Sequence, residues 1–297
     1  MNIMRVQEIK HVNRNRLEYV YSIEGEWSKY FEPSNPMWAE YSEPVDQIPD
    51  SIAVLPLIGN VIVLASLMDA DIYVDEIDRD FYECIEEFIE GFDNIMPDHV
   101  HFKHRDIVHA GRIVDAPLSQ TEQEENLLFF SGGVDATFSL ISHLEEKPAL
   151  VTVWGADIPW NNEESWKQAI GFNQEVADRY DLRMLTIRSN FRKSLNNDPL
   201  EEYSMALVKD WWWSAFHHSV AMMCLAAPLA YGGGGISILA AVTLPKTTKT
   251  GDAMFLLRHR KLITTCVSVA VRLSMTGTNT AGLTRFVKLG TATQNRK

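Results

Sequence analysis

The chain has 297 residues, 46% of them hydrophobic, with eight tryptophans; this is enough for a sizeable core and excludes a disordered or fibrous protein. Its net charge of -13 excludes a general nucleic-acid surface, because such binding needs lysine and arginine to neutralise phosphates. Cys84, Cys224 and Cys266 are dispersed and form no CxxC pair, so neither a disulfide framework nor a zinc site is read.

Residues 1–16 are polar and lack the apolar stretch of a secretory signal, so a cytoplasmic location is expected. A smaller α+β accessory domain is expected over 1–115. Residues 16–23 alternate like a strand, and 71–74 form a second, short one. Over 78–92, Phe81, Ile85, Phe88, Ile89 and Phe92 recur at helical spacing and make one apolar face. The run 51–68 is apolar enough to suggest a membrane span. Pro56, Gly59 and Asn60 interrupt it and acidic residues follow, so it is read as buried and no membrane is expected. Asp69, Asp71, Asp75, Glu76, Asp78 and Asp80 are read as a solvated face rather than a metal site.

Residues 116–126, with Pro117, Ser119 and a run of Gln and Glu, read as a polar connector. From 127 the order becomes strand, glycine turn, helix, strand, helix, strand. That is the sequence form of a parallel sheet with helical crossovers, so 127–231 is expected to be a doubly wound α/β domain. Leu127, Leu128, Phe129 and Phe130 form the first strand, apolar throughout as a central parallel strand is. Ser131, Gly132, Gly133, Val134, Asp135, Ala136 and Thr137 follow. The next helix is expected to turn Phe138, Ile141 and Leu144 inward. A turn between a strand's carboxyl end and a helix's N-terminus offers unpaired N–H groups and a favourable dipole to an anion. Paired glycines let the backbone approach a phosphate, and the hydroxyls of Ser131 and Thr137 add donors. The alternative is an ordinary tight turn, since glycine pairs punctuate many α/β folds.

The segment SGGVDA resembles the SGGxDS signature of the PP-loop ATP pyrophosphatase superfamily, which includes asparagine and GMP synthetases, NAD synthetase and 7-cyano-7-deazaguanine synthase. The resemblance implies a HUP-like ATP-binding fold and cleavage of ATP between its α and β phosphates. It further implies that Ser131, Gly132, Gly133 and Asp135 hold pyrophosphate and its Mg²⁺, with Asp135 as the metal ligand and Val134, Ala136 and Thr137 completing the loop. Ala136 departs from the pattern's serine, so one hydroxyl is missing. The implied function is ATP-dependent adenylation, forming AMP and pyrophosphate and activating a carbonyl or carboxylate for a nitrogen or sulfur nucleophile. A nucleotide-binding protein without catalysis is the alternative that Ala136 and the atypical residues 232–297 both favour. The resemblance does not extend over 1–115, and it names neither the substrate, small or macromolecular, nor a catalytic residue. A homodimer is compatible with it.

The second strand, 149–154, ends in Gly155, Ala156 and Asp157. Trp154 is a candidate to stack on the base, although a tryptophan ending a buried strand is more often core. A helix over 163–180 and a strand over 183–187 follow. Arg188, at that strand's carboxyl end, is a candidate partner for phosphate or a substrate carboxylate; the alternative is a surface arginine. The next helix, 201–231, carries His217 and His218, whose adjacency puts them on different faces and excludes a metal pair.

Residues 232–297 break with the rest. They hold ten lysines and arginines against one acidic residue, Asp252, and twelve of the sixteen threonines, but no tryptophan or tyrosine. Such a basic tail suits a nucleic-acid partner. The sharper expectation is a frameshift near 232–235. Re-read one nucleotide upstream, with free choice at synonymous positions, 238–254 yields IGSSYTAEDYKNWGCD, similar to what PP-loop proteins carry after their fourth strand. Residues 273–289 likewise yield VVHDGYEYSRLDKVRKI.

Overall fold

The structure, a computed structural model, describes residues 1–102, 106–116, 125–232, 235–242 and 253–258, the last two stretches as backbone strands. Strands β1 (Asn2–Val12) and β2 (Arg16–Glu24) form an antiparallel hairpin, and β3 (Trp38–Tyr41) pairs antiparallel with β2. Helices α1 (Asp50–Ala53) and α2 (Leu55–Met68) follow, then β4 (Ala70–Asp78), α3 (Arg79–Ile95) and β5 (Val108–Val114). Strand β4 lies parallel to both β1 and β5.

Helix α2 accounts for the long apolar run. Every residue from Leu55 to Leu67 is buried, as a helix that is hydrophobic all round must be. Pro56 sits in its first turn, where the missing N–H would have had no partner. Gly59 lies where α2 crosses α7 (His218–Leu225), and a Cβ there would fall 2.3 Å from Cys224 Cβ. Gly59→Ala is therefore expected to destabilise the fold by about 1–3 kcal/mol through overpacking, read from the urea midpoint. An unchanged midpoint would mean that the two helices have room to part. Among the described residues no helix is long and apolar enough to cross a membrane.

Of the six acidic residues expected on a solvated face, Asp69, Asp75 and Asp80 are exposed, Asp71 and Glu76 half-buried, and Asp78 is buried. Asp78 caps α3 by accepting from the Phe81 N–H (3.2 Å), Asp71 pairs with His109 (2.7 Å), and Glu76 pairs with Arg112 (2.7 Å).

The second half contains β6 (Glu125–Phe129), α4 (Val134–His143), β7 (Ala149–Trp154), α5 (Glu163–Tyr180), β8 (Met184–Ser189) and α6 (Asn197–Val208). After α7 come α8 (Ala227–Gly232), β9 (Gly235–Val242) and β10 (Ala253–Arg258). Strand β6 starts at Glu125, so the last two residues of the expected connector belong to the sheet; 117–124 lie outside the described residues. The fold is α/β; among the described residues it has one ten-stranded mixed sheet in the order β10-β9-β6-β7-β8-β3-β2-β1-β4-β5. Strands β9, β6, β7 and β8 run parallel, whereas β3 joins β8 antiparallel through Ala39↔Ser189, Glu40↔Arg188 and Tyr41↔Ile187. The sheet thus runs across the boundary expected near 115, and one core contains Leu17 and Ile62 together with Ile187 and Phe216.

Alternate residues of β6 serve two cores, because side chains alternate faces along a strand. Leu127 and Phe129 join the large core that includes α2 and α7. Leu128 and Phe130 join Ala136, Leu140, Leu150 and Ala177 beneath α4 and α5. Helices therefore cover both faces of these strands.

Two expectations need correction. On α4 the buried residues are Ala136, Ser139 and Leu140, while Phe138 is 41% and Ile141 65% exposed. The turn starts the helix at Val134, and at about 100° per residue this phase puts 134, 138 and 141 opposite the 136–140 stripe. Helix 201–231 is interrupted: α6 ends at Val208, with Lys209 left-handed (φ 60°), and a π turn over Trp213–His217 precedes α7. Ser204 Oγ donates to Asp210 O (2.7 Å) and holds that break. Of the basic tail, only Gly232 and the backbone of β9 and β10 are described. Of the frame change expected near 232–235, residues 233–234 lie outside the described residues, as do 243–252 and everything past 258, including the re-read segment 273–289.

Candidate functional site

The strand-to-helix turn after β6 is the first element of the site. The Phe130 N–H still donates to Val151 O (2.9 Å), and the chain then leaves the sheet. Gly132 has φ 78°, a left-handed conformation that side-chain-bearing residues rarely adopt. A Cβ on it would stand 3.0 Å from the Phe172 ring and 3.1 Å from Asn173 Oδ1. Gly133 is the N-cap of α4 without a side-chain cap, and its N–H reaches Ser131 Oγ at a long 3.4 Å. The Thr137 N–H closes the first helical bond to Gly133 O (2.9 Å). The N–H groups of Val134, Asp135 and Ala136 therefore have no intrahelical acceptor. Ser131, Gly133, Val134 and Asp135 are exposed, Gly132 and Thr137 half-buried, and Ala136 buried.

Asp135 lies in the first helical turn, where a carboxylate is favoured by the dipole. Among the described residues no three His, Cys, Asp or Glu gather closely enough to hold a metal alone. A magnesium ion here would need ligand oxygens from phosphates, as Mg²⁺ commonly does.

Beneath the turn sits Asn173 of α5, 1% exposed. Its Nδ2 donates to Phe130 O (3.1 Å) and to Thr152 Oγ1 (2.9 Å), and Thr152 Oγ1 donates to the same Phe130 O (2.8 Å). Among the described residues Asn173 Oδ1 has no hydrogen-bond partner. Leaving such an acceptor unmatched costs about 1–3 kcal/mol.

The carboxyl ends of β7 and β8 supply the second element. Trp154 stacks on Trp166 (centroids 5.2 Å apart, 4° between planes), and its Nε1 donates to Pro159 O (2.7 Å). Arg188 Cζ lies 4.3 Å from the Trp154 ring, and its Nε donates to Trp160 O (3.3 Å). The structure thus places Trp154 and Arg188 against each other, with Trp154 packed among side chains of its own chain. Arg192 lies close by: Nη1 donates to Ala156 O (2.6 Å), and Cζ rests 4.1 Å from the Trp213 ring. Burial pulls its pKa down, while Asp157 and Glu201 act in the opposite direction. Asp157 accepts from Trp213 Nε1 (3.2 Å).

His217 and His218 both pack against Trp213, with ring centroids 5.5 and 4.7 Å away, which corrects the expectation of separate faces: the wider π turn brings both over the residue four and five positions back. His218 meets the edge of Trp213 (4.7 Å), and its pKa is lowered chiefly by burial. His217, 3% exposed, donates from Nε2 to Asn60 Oδ1 (2.7 Å). The direction follows from Asn60, whose Nδ2 already donates to Phe191 O (3.1 Å) and Ser194 Oγ (3.2 Å).

Sequence reading found the turn but missed Asn173 and Arg192. Asn173 left a faint signal, a polar residue four positions before Ala177 on the inner stripe of α5. Arg192 left none, because its setting comes from Ala156 and Trp213, both distant in sequence. No family model, curated protein or solved structure matches the chain.

Proposed function

We propose that this chain is an ATP-dependent adenylating enzyme of the PP-loop kind, forming AMP and pyrophosphate while activating a carbonyl or carboxylate for a nitrogen or sulfur nucleophile. The observation that carries the reading is where the glycine turn falls. It leaves the carboxyl end of β6, and the strand order reverses there: β7 and β8 lie to one side of β6, β9 to the other. In open α/β sheets ligands occupy the crevice outside the carboxyl ends at such a reversal.

The turn fits a phosphate chain. The N–H groups of the first turn of α4 and its dipole favour an anion, and Gly132 permits the left-handed bend, in which a side chain would press on Phe172 and Asn173 Oδ1. Ser131 and Thr137 add hydroxyls, and Asp135 is the carboxylate available to magnesium. When bound with ATP, that ion neutralises phosphate charge. Strand β8 is two strands from β6, about 10 Å at the usual spacing. Arg188 and Arg192 would there hold an anionic group of the acyl substrate, each already steadied by a backbone carbonyl and by indole rings, those of Trp38, Trp154 and Trp160 for Arg188 and that of Trp213 for Arg192.

A second reading, nucleotide binding without turnover, is favoured by Ala136. Its methyl packs with Leu128, Phe130 and Leu140, so no hydroxyl serves the leaving group from this position.

Calorimetry with Mg-ATP and exchange of labelled pyrophosphate into ATP test both. Wild type is expected to bind, and Gly132→Val to bind at least about tenfold more weakly, since a left-handed φ alone costs a side chain about 1–2 kcal/mol. Exchange that depends on an added carboxylic acid supports the enzyme; binding without exchange supports the second reading. Well-folded wild type that binds no Mg-ATP would overturn both.

A further inference from the structure

We infer that Asn173, acting with Thr152, is a positioning residue that aims the Ser131 N–H at the phosphate chain; the inference rests on the nucleotide reading of the turn given above. Phe130 is the last residue held by the sheet, its N–H bonded to Val151 O (2.9 Å). Its carbonyl accepts from both Thr152 Oγ1 (2.8 Å) and Asn173 Nδ2 (3.1 Å). Among the described residues no peptide bond is cis. In a trans peptide the carbonyl and the following N–H point in opposite directions. Two donors that pin the Phe130 carbonyl toward Thr152 and Asn173 therefore turn the Ser131 N–H away from them, on a residue that is itself exposed.

The orientation of the Asn173 amide is fixed by the same two bonds. Flipped, its oxygen would face the Phe130 carbonyl and a threonine oxygen whose hydrogen is already committed, acceptor against acceptors. With Nδ2 turned inward, Oδ1 is left toward Gly132 without a donor. Buried polar atoms are nearly always matched, so an unmatched one asks for a reason. An apolar side chain of the same size would fill this space and leave no oxygen stranded, but it would not hold Phe130. What the asparagine supplies is direction: a donor already aimed when the anion arrives needs no reorganisation, and such donors are the effective ones.

The test uses the full chain, calorimetric titration with Mg-pyrophosphate and with Mg-ATP, and a thermal midpoint for every variant. Asn173→Leu and Thr152→Val are each expected to raise Kd about tenfold, as for the loss of one charge-assisted donor. Thr152→Ser keeps the hydroxyl and is expected to bind within about twofold of wild type. If Asn173→Leu does not fold, Thr152→Val carries the comparison. Wild type that binds while Asn173→Leu and Thr152→Val bind equally well overturns the positioning role and leaves the nucleotide site standing. Equal weakening in Thr152→Ser also overturns it, because packing rather than the hydroxyl would then be what the turn needs. Wild type that binds neither ligand removes the nucleotide site and this role together.

Discussion

Gly155→Ala is expected to destabilise the protein by about 3–5 kcal/mol, a large share of the 5–15 kcal/mol that a domain of this kind typically has. Gly155 ends β7 with φ 122°, outside the region open to side-chain-bearing residues. A Cβ there would fall 1.9 Å from Ser189 O and 3.0 Å from Ser189 C, both backbone atoms of the neighbouring strand β8. No rotamer relieves a clash with backbone, so the ends of β7 and β8 must separate. The separation would also carry away Ala156, whose carbonyl holds Arg192, and Asp157, which accepts from Trp213. Gly171→Ala is the control. That glycine lies within α5, and a Cβ on it would meet nothing within 4 Å. Alanine there is expected to stabilise by about 0.5–1 kcal/mol, because glycine loses more backbone freedom on folding. Urea unfolding of both variants against wild type measures the contrast. A Gly155→Ala midpoint within error of wild type would defeat the prediction.

Elements set by local signals were legible in the sequence. Strand β7 has its expected bounds, 149–154, because a largely apolar run, broken only by Thr152, stops at a glycine that must turn. Helix α5 has its expected bounds, 163–180, because Asn162 caps it by accepting from the Ser165 N–H and Asp181 ends it with φ 55°. What escaped depends on partners far along the chain. Strand β3 is four residues long, and its pairing with β8 joins residues about 150 positions apart, which no local periodicity reports. The inner face of α4 is not legible from apolar content alone, because apolar content is not burial. Phe138 and Ile141 are apolar yet exposed, while Ala136 and Ser139 face inward as small residues. At the site, the glycine turn is a contiguous motif and could be read directly. The network beneath it, Phe130, Thr152 and Asn173, is assembled from three elements and became visible only with their packing.

Acid is expected to act on this fold through His217. Its imidazole is buried against Phe191 and Trp213 and bonded to Asn60, and among the described residues no carboxylate is bonded to it. Burial, reinforced by Arg192 and His218, lowers its pKa to about 3. The Nε2 hydrogen is committed to Asn60, so an added proton would go to Nδ1 and place a cation inside the core. An unfolded histidine titrates near 6.5, so between that pH and about 3 the unfolded chain binds a proton that the folded chain refuses. Stability from this group is therefore complete above pH 6.5 and falls as pH drops through the window. At about 1.36 kcal/mol per pH unit the loss approaches about 4–5 kcal/mol by pH 3. His218, also lowered by burial, adds to the loss, while Asp157 opposes its share. Asp78 and Glu125, whose pKa values burial raises, pull the other way as they take up protons in the folded state. A difference measurement separates these contributions: His217→Gln retains a donor for Asn60 Oδ1 but cannot titrate. Urea midpoints from pH 7.5 to 4 should fall more steeply in wild type than in His217→Gln, the two curves diverging by one proton's slope below pH 6.5. Parallel curves, or a His217 resonance in the folded protein titrating near 6, would show that water or a carboxylate reaches this ring after all.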